Sequence, residues 1–371
     1  MDRYRVLVIG GYGFFGRRLV EGLARQEGLH VTVAGRSSAQ AEALVAELGP
    51  QALARLASVE LDAMADSLPR LLLQLRPDLV IHTSGPFQGQ DYRVALACVS
   101  AGAHYVDLAD GRDFVQGIGA LDASAKDAGV LVTSGASSVP ALSSAVVDRL
   151  ARGMREVAFI DIGISPGNKT ERGLSTVAGI LSYCGKPIPP SGGREVFGWS
   201  GAYRHRYPAP VGSRLLSPCD VPDLALLPGR YAGQPAVRFG AGLELPFLHH
   251  GMNLMAWLVR IGLVDDWSAY ANLLKRAADL FKTWGSDAGA MHVSVIGTDD
   301  QGAAVQRHWA LVATDGDGPY VPTLAASALA RKLATGTLRT AGALPCMGLL
   351  SLEDFAEEAQ GLKISMAGVA G

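Results

Sequence analysis

The chain has 371 residues, more than one hydrophobic core comfortably holds, so two domains are expected. Apolar residues make up 49% and charged residues 18%, which excludes a disordered chain, and a net charge of −2 gives no global attraction to nucleic acid or anionic membrane. The four cysteines, Cys98, Cys184, Cys219 and Cys346, are far apart, form no metal-type pair and fit free thiols in a reducing compartment.

The first element is the strand Val6 to Ile9, four apolar residues suited to burial on both faces. Gly10, Gly11, Gly13 and Gly16 follow at once, and Arg17 to Gln26 read as a helix. Gly11-x-Gly13-x-x-Gly16 fits the dinucleotide fingerprint, and Gly10-x-x-Gly13-x-x-Gly16 fits the looser spacing of extended short-chain reductases. Both readings place pyrophosphate over the backbone of Gly10, Gly11, Tyr12, Gly13, Phe14, Phe15 and Gly16, at a helix N-terminus. A strand starting by Arg5 leaves no room for a signal peptide, so the expectation is a cytoplasmic protein.

Strand and helix patterns then alternate over about the first 150 residues. His30 to Ala34 is a strand, Ser38 to Leu48 a helix stopped by Gly49-Pro50, Leu56 to Leu61 a strand, and Ala63 to Leu75 a helix. Pro77 to His82 is a strand and Asp91 to Ser100 a helix closed by Gly102. His104 to Leu108 and Val130 to Thr133 are strands, with a helix from about Asp113 to Asp127 between them. Pro140 suits a first helical turn, and Ala141 to Ala151 carries the chain out of the domain. This alternation predicts an α/β class with an N-terminal Rossmann-type doubly wound parallel sheet.

The end of the second strand selects the cofactor. NAD enzymes place an acidic residue there for the ribose 2′-OH, whereas this chain reads Ala34-Gly35-Arg36-Ser37-Ser38. A guanidinium and two hydroxyls suit a 2′-phosphate, so NADP(H) is expected over NAD. Asp62 is placed to reach the adenine edge or to cap the next helix. Ser84, Gly85 and Pro86 follow the fourth strand, and Ser134 and Gly135 the sixth, so both turns should border the nicotinamide. Asp107 and Asp110, at the end of the fifth strand, either face substrate or cap the helix at Asp113.

Beyond about Arg155 the pattern changes to a second, α+β domain. Val157 to Ile164 is a strand, and the Gly/Pro-rich stretches Lys186 to Gly193 and Tyr207 to Leu216 read as loops. The run Met252 to Val264 is interrupted by Arg260 and too short to span a bilayer. Asp266 to Phe281 reads as an amphipathic helix with Trp267, Tyr270, Leu274, Ala277 and Phe281 on one stripe, suited to core or subunit contact. Met291 to Thr298 and Ala303 to Thr314 form a hairpin across Asp299 to Gly302. Leu324 to Ala334 and Leu352 to Ala359 are late helices.

The glycine fingerprint, Ala34 to Ser37, Ser84 to Phe87 and Gly102-Ala-His-Tyr-Val-Asp-Leu108 together resemble the saccharopine dehydrogenase-like family over about the first 150 residues. Later likeness rests on Trp309 to Ala313, Gly318 to Pro322 and Gly342 to Cys346. The resemblance implies an NADP-binding domain and an α+β domain whose sheet often mediates dimerisation. It also implies reduction of imines formed from amino acids or polyamines, or of a carbon–carbon double bond in lipid biosynthesis. Relatives that make saccharopine-type products begin a helix with Pro-Gly-Leu-Ser, and here Pro140-Ala141-Leu142-Ser143 stands instead, so substrate identity does not carry over.

Competing chemistries are weaker. No Tyr-x-x-x-Lys is present, and Gly163-x-Ser165-x-Gly167 lacks the helix that a nucleophile elbow needs next. His249-His250 reads as a loop pair without a third metal ligand, and Arg204-His205-Arg206 as a carboxylate-binding or solvated basic loop. The expectation is an NADP(H)-dependent oxidoreductase transferring hydride to or from a C=N group of an amino-acid or polyamine-like substrate, with Asp107 and Asp110 as catalytic candidates and no metal. A C=C reductase and a non-catalytic NADP-binding sensor are the alternatives. The expected domains are 1–152 for NADP, 153–320 for substrate and dimerisation, and a helical segment 321–371 with the first domain available to pack against. Expected partners are a small-molecule substrate and a second copy of the chain, with neither nucleic acid nor membrane insertion.

Overall fold

A computed structural model describes residues 3–188 and 195–370. The chain divides into two compact units, Met1–Leu142 with Tyr320–Glu358, and Ser143–Pro319 with Ala359–Gly371.

The first unit is built on β1 (Tyr4–Ile9), β2 (Leu29–Gly35), β3 (Arg55–Glu60), β4 (Leu79–His82), β5 (His104–Asp107) and β6 (Leu131–Ser134). With the strand Gly342–Pro345 they make a seven-stranded sheet in the order Gly342–Pro345, β6, β5, β4, β1, β2, β3, all pairs parallel. β1 is central, and its Val6 to Ile9 are at most 1% exposed. One sheet face buries Leu7, Ile9, Val80, Tyr105 and Val132 against Leu72, Cys98 and Ile118 from the helices. Each such aliphatic side chain contributes about 1.5–3 kcal/mol. Helix α1 (Phe14–Ala24) buries Leu19, Val20 and Leu23, and α2 (Ser38–Leu48) buries Ala41 and Leu44. Between β3 and β4 the chain crosses over β1, so the strand order reverses there and leaves a crevice at the C-terminal ends of β1 and β4.

Several boundaries differ from the sequence reading for local reasons. The helix expected from Ala63 begins at Leu68, with a proline in its first turn, because the Asp62 carboxylate accepts from the Met64 N–H at 2.9 Å and holds a turn first. Asp91 lies outside its helix, which starts at Arg93, and accepts the Arg93 N–H at 3.1 Å. The stretch 113–127 is not one helix: Arg112–Gly117 and Asp122–Asp127 are separated by the 3-10 turn Ile118–Leu121, where Gly117 and Gly119 weaken a continuous helix. Pro140 follows an extended Val139 (φ −132°, ψ 129°), so the helix out of this region runs over Ser143–Leu150. The late helix Leu324–Ala334 belongs to the first unit, where the Gln26 amide donates to Ser327 Oγ at 2.8 Å.

The second unit is a mixed seven-stranded sheet in the order Tyr203–Arg206, Ser213–Pro218, Ala236–Ala241, Met154–Ser165, Gly289–Asp299, Ala304–Ala313, Ile364–Ala370. The hairpin is present, pairing Val293 with Trp309, and Asp299 Oδ1 accepts the N–H groups of Gln301 and Ala303 at 2.9 Å each across its turn. The loop reading of Tyr207 to Leu216 fails from Ser213, where a strand begins. Of Lys186 to Gly193, Pro187–Ile188 is a short strand, and 189–193 lie outside the described residues. The stretch 266–281 is a short 3-10 turn and the helix Ala271–Asp279. Of its expected apolar stripe, Trp267, Leu274 and Phe281 are half-buried, and Tyr270 and Ala277 are exposed. Asp266 Oδ1 accepts the Ser268 N–H at 2.6 Å and starts a separate turn there. His249 and His250 sit in the helix Pro246–Arg260 rather than in a loop. Among the described residues no helix is long and apolar enough to cross a membrane.

Candidate cofactor and active site

The glycine loop after β1 closes on itself. Gly10 adopts φ +78°, Gly10 and Gly11 both donate to Ala34 O at 2.8 and 3.0 Å, and Gly13 donates back to Gly10 O at 2.8 Å. A Cβ on Gly16 would stand 2.0 Å from Gly10 O, so only glycine permits this approach. Gly13 caps α1 without a side-chain acceptor, and the first helical bond runs from Arg17 N to Gly13 O. The N–H groups of Phe14, Phe15 and Gly16 therefore lack intrahelical acceptors, and with the helix dipole they suit an anionic pyrophosphate.

Tyr12 spans from this loop to the end of β2. A Cβ on Gly35 would lie 2.4 Å from the Tyr12 ring, and the Ser37 N–H donates to the Tyr12 hydroxyl at 2.9 Å. Arg36 is exposed between them. Ser37 Oγ accepts the Gln40 N–H at 3.4 Å as the N-cap of α2, which Ser38 opens. An exposed guanidinium, two hydroxyls and a second helix N-terminus thus meet at one strand end, a donor set that fits a 2′-phosphate. Asp62 is exposed and its Oδ1 caps a turn, while the helix that follows begins six residues later at Leu68.

On the other side of β1, Thr83 Oγ1 donates to Ile9 O at 2.9 Å and to Gly10 O at 3.1 Å. Ser84 lies directly over Gly10, where a Cβ would come within 2.4 Å of its Oγ. The Gln90 amide donates to Ser84 O at 3.1 Å and to Pro86 O at 2.6 Å, bracing the Ser84-Gly85-Pro86 turn. Behind the turn, burial pushes the His82 pKa down to about 4, so its ring is neutral. Sequence reasoning missed Thr83 and Gln90 as braces; their signal was position, beside the crevice.

Asp107 is fully buried. Its Oδ1 accepts from Ala109 N, Ser134 Oγ and Gly135 N, each at 2.9 Å, and its Oδ2 has no partner among the described residues. Burial raises its pKa to about 6, against the pull of these donors. It ties the end of β5 to the end of β6 and caps no helix, since Gly111 stands at the N-cap of Arg112–Gly117. Asp110 is half-buried, accepts the Gln88 amide at 3.2 Å, and has its pKa raised by burial. The structure therefore joins Asp107 to Ser134 and Gly135, Ser84 to Gly10, and Tyr12 to Gly35 and Ser37. Asp110 is tied to Gln88 instead.

Other candidates from the sequence resolve differently. Ser165 is a fully buried strand end, and the next helix begins only at Leu174. His249 Nε2 bonds Ser217 Oγ at 2.9 Å. Arg204 to Arg206 lie in a strand, where His205 stacks on His292 with centroids 3.5 Å apart. Ligand atoms of Asp161, His205 and His292 lie within 4.8 Å of one another. Both Asp161 oxygens already accept from Arg238 at 2.7 Å, however, so a guanidinium fills the cation's role there.

Residues 6–133 match the family model of the saccharopine dehydrogenase NADP binding domain. No curated protein matches the chain in sequence. Among solved structures, apo saccharopine dehydrogenase (L-Glu forming) from Saccharomyces cerevisiae is similar over 99% of this chain and 100% of that one, with 14% identity and a TM-score of 0.66. Amine dehydrogenase from Mycobacterium smegmatis aligns over 92% and 94%, with 11% identity and a TM-score of 0.48. At such identities the first likeness is one of fold, and it extends through both units. Domain match and glycine cradle agree on a saccharopine dehydrogenase-type NADP binding domain over residues 6–133, and the solved structure agrees with the fold of the chain.

Proposed function

We propose that the protein transfers hydride between NADP(H) and a C=N group of an amino-acid or polyamine-like substrate. The observation that carries this reading is the rim formed by Ser84 to Pro86, Ser134 and Gly135, with a half-buried carboxyl, Asp110, of raised pKa on the same strand-end edge. NADPH supplies the hydride when bound, and the chain's own groups must orient the acceptor and manage one proton. The α1 N-terminus holds pyrophosphate, and Arg36 with Ser37 and Ser38 holds the 2′-phosphate. Asp62 remains available to the adenine edge.

Asp107 acts through its neighbours, fixing Ser134 and Gly135 where the nicotinamide half belongs. Asp110 holds the proton that an imine nitrogen takes as hydride reaches the imine carbon, since a desolvated carboxyl keeps its proton closer to neutral pH. The test is whether hydrogen from the nicotinamide arrives on the carbon of a C=N substrate.

A second copy of the chain is the proposed partner. On the helix Pro246–Arg260 and its C-cap, Phe247, Leu254, Trp257 and Ile261 follow at helical spacing and are 45%, 56%, 51% and 47% exposed. A stripe of this size suits burial in an interface. The four cysteines are free and buried, which supports a cytoplasmic setting.

A further inference from the structure

Four arginines among the described residues grip a carboxylate with the same edge of the guanidinium, Nε and Nη2 side by side, one of them Arg93 on Asp91 at 2.8 and 2.7 Å. Arg5 holds Asp78 at 3.1 and 2.8 Å, Arg230 holds Asp148 at 3.0 and 2.6 Å, and Arg238 holds Asp161 at 2.7 Å twice. In Arg172 the same two atoms are buried and have no hydrogen-bond partner among the described residues. A guanidinium does not shed its charge, and a desolvated donor pair without an acceptor is destabilising.

The acids that face Arg172 are Glu244 and Asp279, and both are engaged elsewhere. Glu244 accepts from Arg214 at 3.0 Å, from Ser286 Oγ and N at 2.8 and 2.9 Å, and from Asn168 N at 2.7 Å. Asp279 accepts from Lys275 at 2.7 Å. Burial lowers the Arg172 pKa against the pull of these two carboxylates.

The loop that carries Arg172 is held in place. Asn168 Nδ2 donates to Phe281 O at 2.7 Å and to Trp284 O at 3.1 Å, and Lys169 N donates to Ser286 O at 2.9 Å. Arg172 also precedes Gly173, the N-cap of the nine-residue helix Leu174–Ser182, which has no side-chain cap. Its free N–H groups add positive potential beside the guanidinium.

We infer that Arg172 is a ligand-binding arginine that takes a carboxylate group of a small molecule through its Nε–Nη2 edge. The planar two-donor fork matches a carboxylate, and one guanidinium balances one negative charge. The inference lies wholly within the second unit and stands apart from the hydride-transfer reading.

The experiment titrates the NADP⁺-saturated protein, so that cofactor anion contacts are filled, with acetate, glutarate, phosphate and chloride at matched ionic strength. Calorimetry and melting temperature are read, with NADPH affinity as a separate control. The expected result is saturable stabilisation by acetate and glutarate beyond that of chloride. Arg172→Gln and Arg172→Met should weaken it at least tenfold with NADPH affinity unchanged. Arg172→Lys keeps the charge without the fork and should weaken it at least fivefold, which serves if the neutral variants do not fold. A parent that responds to carboxylates no more than to chloride, a response to phosphate alone, or variants that bind carboxylates as the parent does would each overturn the assignment.

Discussion

The Ser37 N–H donates to the Tyr12 hydroxyl at 2.9 Å, and the Tyr12 ring occupies the space a side chain at position 35 would need. One residue of the glycine loop thus fixes the strand end that carries Arg36, coupling the pyrophosphate cradle to the proposed 2′-phosphate contact. Tyr12→Phe keeps the ring and removes the acceptor, a loss of about 1 kcal/mol. NADPH affinity, measured by calorimetry, is expected to fall about fivefold with the fold intact. Unchanged affinity would show that the two contacts are independent.

The acid-free end of β2 leads to a cofactor preference. NADPH is expected to bind at least tenfold more tightly than NADH, about 1.4 kcal/mol. Arg36→Ala should remove most of that gap and leave NADH affinity nearly unchanged. Equal affinities in the parent protein, by tryptophan quenching, would refute the assignment of Arg36.

Asp107 should leave a mark on stability. Its folded pKa is raised from 3.8 to about 6, so the native state holds this proton more tightly than the unfolded chain does. The resulting stabilisation is full below about pH 4 and is lost as pH rises through 6, about 3 kcal/mol in all. Asp107→Asn keeps an oxygen for the three donors and removes the buried charge, so it should fold and lack this pH dependence. Denaturant melts of both proteins from pH 4 to pH 8 would show it, and parallel curves would contradict it. Asp110→Asn should instead lower turnover far more than NADPH affinity, which single-turnover kinetics would read.

Assembly is expected through the open face of the helix Pro246–Arg260. Light scattering at micromolar concentration should report a dimer, and Leu254→Glu with Trp257→Glu should yield a folded monomer. A parent that is monomeric, or a double variant that stays dimeric, would exclude this face as the interface.

The first unit was legible because its strands are continuous apolar runs separated by stop signals, and because Gly10 to Gly16 sit between a strand and a helix. Its seventh strand was not. Gly342–Pro345 is four residues ending in proline, and its partner β6 lies 211 residues earlier, Gly342 pairing with Leu131, beyond the reach of local periodicity. Tyr203–Arg206 alternates polar groups on an edge strand and carries no apolar signal. At the site, the glycine loop could be read from spacing, and Arg36 was named from its position at the end of the second strand. That Asp107 is a buried strut, and that the Arg172 fork has no acceptor among the described residues, are facts of packing that no spacing records.

The central claim is hydride transfer to a C=N group, and isotope transfer tests it most directly. NADPH deuterated at C4 of the nicotinamide is mixed in a single turnover with imines formed from amino acids or polyamines and carbonyl compounds, with enones alongside, and products are read by mass spectrometry and NMR. The expected result is deuterium on the former imine carbon of a secondary amine. Deuterium on the carbon of a reduced enone alone, or tight NADPH binding with no transfer to any acceptor, would contradict it.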